Sequence, residues 1–196
     1  MAKKNKIPTW VIVVGVILTV LLLTGMWVGG TYNTLVGMDE GVNTAWGNVQ
    51  NDYQRRADLI PNLVATVKAY SDYEGDILVE VTQARASVGS AQTPSELAAA
   101  GDTMNSAISR LLVVMEAYPD LKANQNYLDL QVQLEGTENR IKLSRDKYNA
   151  EVKTLNTKVR RFPSNIIAGM FNFDQKEYFE AQDGSENAPD VAELFE

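Results

Sequence analysis

From Trp10 to Val28 the chain runs WVIVVGVILTVLLLTGMWV, 19 residues with no charge and only two threonines. No other stretch constrains the fold as much, because an apolar segment placed in lipid has to satisfy its own backbone, which a helix does. That helix spans about 28 Å at about 1.5 Å per residue, close to the hydrocarbon thickness of a bilayer. Trp10 and Trp27 bracket it where amphipathic rings prefer to sit. A cleaved signal peptide shares the basic start, but the run exceeds its usual length of about 7–15 residues, and no small-x-small site follows in MWVGGTYN. The reading is an uncleaved single-pass anchor. Lys3, Lys4 and Lys6 precede it and the next bases are Arg55 and Arg56, so the positive-inside rule puts the N-terminus in the cytoplasm and the body outside. Gly25 and Gly29 form a small-xxx-small pair that lets two spans approach closely, a spacing that also arises by chance.

Beyond the anchor, spacing decides the class. Steps of four and three from Val42 to Val88 meet apolar or aromatic residues at twelve of fourteen positions, where 45% hydrophobic composition gives about six. The two exceptions are Arg56 and Glu74. Pro61 lies inside this stripe and is expected to kink or split the helix. Gly89 to Gln92 is a break, and Thr93-Pro94-Ser95-Glu96 reads as a helix start, with Thr as cap and Glu three residues on. A second stripe runs from Leu97 to Tyr118 and Pro119 interrupts it. Leu121 to Phe162 is expected to be a last long helix, its stripe drifting at Arg145 as in a straight helix rather than a strict coiled coil. Amphipathic helices with short breaks bury their apolar faces on one another, so the fold class is all-α. An antiparallel, up-and-down, four-helix-like bundle follows the anchor, slightly favoured over a long hairpin. The expected divisions are a basic start and anchor over 1–30, a bundle over 31–173 and an acidic, flexible tail over 174–196.

Composition narrows the chemistry. The chain has no cysteine and no histidine, which excludes disulfides, thiol nucleophiles, Ser-His and Cys-His catalysis, and imidazole or thiolate metal sites. Its net charge of −7 resides wholly in residues 174–196, which hold eight acids and Lys176. The remainder is neutral, a poor partner for nucleic acid. No phosphate-cradling glycine loop or dinucleotide fingerprint appears. Arg56 and Glu74 on the first stripe and Arg145 on the last are either a buried polar site or long stems whose heads reach the rim, the second being the commoner arrangement. Glu135 and Glu138, with Asp52 or Asp58 opposite, are a generic acidic set for a hard cation. Segment 163–173, PSNIIAGMFNF, reads as a short helix capped by Ser164 that closes the bundle, touches the membrane surface or docks a partner; core closure is the default. In the tail, Val191, Leu194 and Phe195 offer a small docking motif.

Several runs resemble the LemA family: YNTLV (32–36), Val42 to Trp46, RRADLIPNLVATVKAY (55–70), AYPDLKANQNYLDLQVQLEGTENRI (117–141), RDKYN (145–149) and FPSN (162–165). The resemblance covers the chain from the anchor to about residue 179 and leaves the acidic tail outside. It implies a membrane-anchored prokaryotic protein with a four-helix up-and-down bundle and no assigned reaction; one branch of the family is tied to building magnetosome membranes. The family's motif positions fall on Tyr32, Asn33, Trp46, Arg56, Leu59, Pro61, Asn62, Tyr118, Pro119, Glu138, Arg145, Tyr148 and Asn149, residues expected to be architectural first. Arg56, Glu138 and Arg145 are expected to form an interhelical ion network. The functional expectation is a non-enzymatic scaffold or adaptor, without cofactor, whose partners are the lipid bilayer, other membrane proteins or copies of itself. The alternative is an envelope accessory or sensor protein that responds to an ion or ligand through polar bundle residues.

Overall fold

The computed structural model describes residues 8–70, 76–115 and 118–180. Among these, all regular structure is helical: α1 (Thr9–Tyr70), α2 (Asp76–Ser90), α3 (Pro94–Met115), α4 (Pro119–Lys122), α5 (Gln125–Arg160) and α6 (Ser164–Met170). The chain divides into two compact units, Met1–Asn43 with Glu151–Lys176, and Thr44–Ala150 with Glu177–Glu196.

α1 is a single helix of 62 residues that carries both the apolar run and the first stripe. It is the one described helix long and apolar enough to cross a membrane. From Trp10 to Trp27 the side chains are exposed, Leu22 among them, and Val28 is half-buried; a Cβ added at Gly25 or Gly29 would meet nothing. Pro61 does not split the helix. Its ring sits on the exposed side while Ile60 and Leu63 are fully buried, so packing of the stripe offsets one missing backbone hydrogen bond. Asn62 is likewise exposed, its carbonyl accepting from Thr66 Oγ1 at 2.8 Å.

In the unit of Thr44–Ala150, four helical passes pack antiparallel. Trp46 meets Tyr148, Asp52 meets Ser144 and Arg56 meets Glu138, so α1 and α5 run in opposite directions. Glu80 pairs with Arg110 at 3.1 Å between α2 and α3, and Asp58 approaches Arg85 at 3.4 Å between α1 and α2. Val49, Ile60, Leu63, Val81, Leu97, Met104, Leu111 and Leu121 form the fully buried core. The capping box forms as read: Glu96 N–H donates to Thr93 Oγ1 at 3.2 Å, and Thr93 N–H donates back to Glu96 Oε2 at 3.3 Å.

Pro119 does interrupt, with half-buried Tyr118 before it, but the last long helix starts later than expected. Pro119–Lys122 makes one turn, and α5 begins only at Gln125. Asn124 explains the restart, because its Oδ1 accepts from Tyr127 N–H at 3.3 Å, the position an N-cap side chain serves. At its other end α5 stops at Arg160, so Phe162 leaves the stripe and lies 76% exposed.

The other unit joins the early part of α1 to the end of α5, α6 and residues 171–176. Leu35, Val152, Leu155, Ile167 and Ala168 form its core. Lys176 Nζ pairs with Asp39 at 2.9 Å. Asn156 holds the main chain of Lys176 twice, donating through Nδ2 to its carbonyl at 2.9 Å and accepting its N–H at 2.8 Å. Ser164 does not cap α6. Pro163 holds the cap position, and the Ser164 hydroxyl turns back toward the carbonyls of Lys158 and Arg161, at 2.7 and 2.8 Å. α6 ends in a left-handed Asn172 (φ 57°), and Phe173 N–H reaches Ala168 O at 2.9 Å, a Schellman closure. Core closure holds only for Ile167 and Ala168; Ile166, Met170 and Phe171 remain exposed.

Candidate functional site

In the bundle unit, α1, α3 and α5 enclose an open cleft of about 520 Å³, within the range typical of small-molecule sites. Arg56 lies at its heart because the four-three stripe of α1 carries a cation where an aliphatic residue would otherwise pack. Its side chain, 9% exposed, is ion-paired through Nη1 with Glu138 of α5, whose side chain is half exposed. Burial lowers the Arg56 pKa from its ordinary value, opposed by neighbouring Tyr53. Burial likewise raises the Tyr53 hydroxyl pKa; Asp102 adds to this, while Arg145 and Arg56 oppose it. Two buried polar atoms in the lining have no hydrogen-bond partner, Arg56 Nε and Asn105 Oδ1. An orphaned donor or acceptor of this kind costs about 1–3 kcal/mol.

The RDKYN run on α5 serves a different purpose from the expected ion network. Arg145 lines the cleft beside Arg56 and Glu138, but its Nη2 donates to Glu180 O at 3.0 Å and its guanidinium lies 4.9 Å from the centre of the Phe179 ring. Tyr148 Oη donates to Glu177 O at 3.0 Å. Burial raises the pKa of this hydroxyl, with Glu177 adding to the effect. Asn149 grips Phe179 at both main-chain groups, donating to O and accepting from N–H at 2.9 Å each. Every hydrogen bond from these three side chains to residues 177–180 goes to backbone, so the clamp holds the main chain of that segment. Specificity comes from the Phe179 ring, 5% exposed, which is 5.3 Å from Tyr148 and 5.9 Å from Trp46.

Residues 174–180 therefore belong with the folded chain rather than with a tail that starts at 174. Tyr178-Phe179, the one aromatic pair in the acidic stretch, is a faint sign of this. The carboxylates weighed for a hard cation are dispersed, with Asp52 on Ser144, Asp58 on Arg85 and Glu138 on Arg56, and no described acids gather as a metal site. Tyr32 lies in the other unit, its ring 4.7 Å from Phe171 and 5.8 Å from Phe173. Pro61, Asn62, Tyr118 and Pro119 do not line the cleft. Glu74 and the Val191, Leu194 and Phe195 motif lie outside the described residues.

The chain is 26% identical over 191 residues to the magnetosome protein MamQ 2 of Paramagnetospirillum magneticum, covering 84% of this chain and 70% of that one. It is 25% identical over 199 residues to the protein LemA of Metamycoplasma hominis, covering 97% and 89%. The magnetosome protein MamQ of Magnetospirillum gryphiswaldense is 22% identical over 191 residues, covering 84% and 70%. None of these names specifies a reaction. The LemA family profile matches residues 45–192, which takes in most of the acidic tail and begins after Tyr32. The chain belongs to the LemA family.

Proposed function

We propose that this chain is a non-enzymatic, single-pass membrane-anchored scaffold, its N-terminus in the cytoplasm and its bundle outside, that organises assemblies at the cell envelope through self-association. The observation that carries the reading is α1, in which one uninterrupted helix holds both the apolar run, exposed from Trp10 to Trp27, and the bundle's first stripe. Kinship with proteins named for the magnetosome supports an organising role at membranes. The three lysines before the span support the orientation. A Ser90→Cys substitution in this cysteine-free chain tests sidedness: labelling in intact cells is expected, and protection reverses the orientation. Crosslinked oligomers in mild detergent are expected, and a strictly monomeric, partnerless particle refutes the scaffold.

One observation favours a second reading, an accessory protein that senses an ion or ligand. The cleft holds an orphaned donor on Arg56 and an orphaned acceptor on Asn105, and a bound molecule presenting the complementary groups would satisfy both. Thermal stability scanned against divalent cations and small zwitterions decides it, and a flat response ends that reading.

A further inference from the structure

The unit that contains the span also contains a second apolar surface. Phe162, Ile166 and Met170, spaced by four, are 76%, 52% and 68% exposed, and Phe171 beside them is 46% exposed. Ile167 and Ala168 on the other side of α6 are buried, so the helix is anchored by one face and bare on the opposite one. Large apolar side chains clustered this way in water mark a contact surface.

Two features say what covers it. The first is height along α1. The apolar run ends at Val28, and Tyr32 stands one turn further on, about 6 Å along the axis. The Tyr32 ring is in contact with Phe171 and Phe173, so the end of α6 sits at the level where the span leaves the hydrocarbon. Nothing charged intervenes on α1 between the span and this level, since the first acid is Asp39. The second feature is charge. Residues 152–173 carry Lys153, Lys158, Arg160 and Arg161 and no acid, within a chain whose net charge is −7. Arg160 and Arg161, both exposed, immediately precede Phe162. Basic residues at the end of α5, followed by Phe162 in the turn and by Ile166 and Met170 on α6, give this stretch the composition of a segment that lies in the headgroup layer.

We propose that Arg160–Phe171 is a second membrane contact, lying on the bilayer that α1 crosses, with Phe162, Ile166 and Met170 entering the acyl boundary and Arg160 and Arg161 on anionic lipid headgroups. This rests on the reading of the apolar run as a membrane span. The partner is a lipid surface rather than a second copy, because the surface adjoins the span and its net charge complements anionic lipid.

The test uses the full chain, free of native cysteine, in nanodiscs containing phosphatidylglycerol. Nitroxide labels are placed singly through Ile166→Cys and Met170→Cys, with Leu22→Cys in the span and Ser90→Cys on the bundle as references. Labels at 166 and 170 are expected to favour oxygen over a water-soluble nickel chelate, as at 22 and unlike 90. Arg160→Gln with Arg161→Gln is expected to raise nickel access at 170 about fivefold or more, the factor a single lipid-facing cation supplies. If 166 and 170 behave like 90 while 22 stays lipid-like, this inference fails and the span stands. If 22 is itself open to nickel, the span reading fails and takes the inference with it. Exclusion of both reagents from 166 and 170, with dipolar broadening between copies, assigns the surface to a second copy and overturns the lipid contact. Unchanged access in the double Arg variant overturns the headgroup pairing.

Discussion

Two aromatic residues of α1 each receive phenylalanine from beyond α5, and the two seats differ in solvent exposure. Trp46 packs with Tyr148 and Phe179, and the Phe179 ring is almost fully withdrawn from water. Tyr32 meets Phe171 and Phe173 at similar centroid distances, yet Phe171 is 46% exposed and Tyr32 37%. Ring geometry alone does not distinguish them. What does is the backbone: at the first seat three side chains of α5 spend their hydrogen bonds on residues 177–180, whereas the second closes through the local turn of α6. The first is an element of the fold, and the second leaves its surface for something outside the protein.

The largest effect that separates the seats is truncation of the phenylalanine. Phe179→Ala removes a buried ring, and losses of this type run at about 3–5 kcal/mol. Phe171→Ala, half exposed, is expected to cost about 0.5 kcal/mol or less in detergent, the range of surface changes. Thermal unfolding of both variants checks the pair. Equal shifts would break the distinction between a folded clamp and an exposed surface.

Glycines sharpen the same contrast at the next level. A Cβ at Gly101 would fall against the Tyr53 ring, with Oη at 3.0 Å and Cζ at 3.1 Å, inside the packed unit. Tyr53 is buried and its ring must shift to admit the methyl, so Gly101→Ala is expected to destabilise by about 1–3 kcal/mol, as overpacking does. A Cβ at Gly41 meets only the mobile end of Glu151, with Oε2 at 3.2 Å. Gly41→Ala, in mid-helix, should stabilise by about 0.5–1 kcal/mol once the carboxylate shifts. Chemical denaturation of each variant reads the sign, and a gain at Gly101 would show that the Tyr53 wall is loose.

How much of this was legible depends on how local each determinant is. The capping box at Thr93–Glu96 was readable because all its atoms lie within four residues. The stripe located Val49, Ile60, Leu63, Leu134 and Val152 correctly, since helical periodicity is fixed by the backbone. It failed at Phe162 because α5 had ended two residues earlier, where the period no longer applies. Pro61 leaves α1 unsplit because a proline's cost is local while the packing that outweighs it is tertiary. Of the expected network of Arg56, Glu138 and Arg145, residues that occupy or flank the apolar stripes, Arg56 and Glu138 pair, whereas Arg145 turns to Glu180, a contact across 35 positions that no spacing rule encodes. The Phe179 seat was illegible for the same reason: its hydrogen bonds come from side chains to a main chain 30 residues away.

The smallest effect concerns the hydroxyl of Tyr148, and it carries a pH signature. Tyr148→Phe keeps the ring against Trp46 and Phe179 and deletes one bond to Glu177 O, a loss of about 0.5–1.5 kcal/mol. Burial holds the phenol neutral, with Glu177 adding to the effect, so the folded pKa exceeds the unfolded one. A group raised in this way contributes stability that is complete below its unfolded pKa, near 10 for tyrosine, and is lost as pH rises through the folded value. Tyr53 is raised as well and adds to the same alkaline loss from the cleft side. The wild-type chain is therefore expected to lose stability above about pH 10, and Tyr148→Phe should flatten part of that slope. Melting curves across alkaline pH compare the two proteins, and identical slopes would mean that the Tyr148 hydroxyl does not hold the clamp.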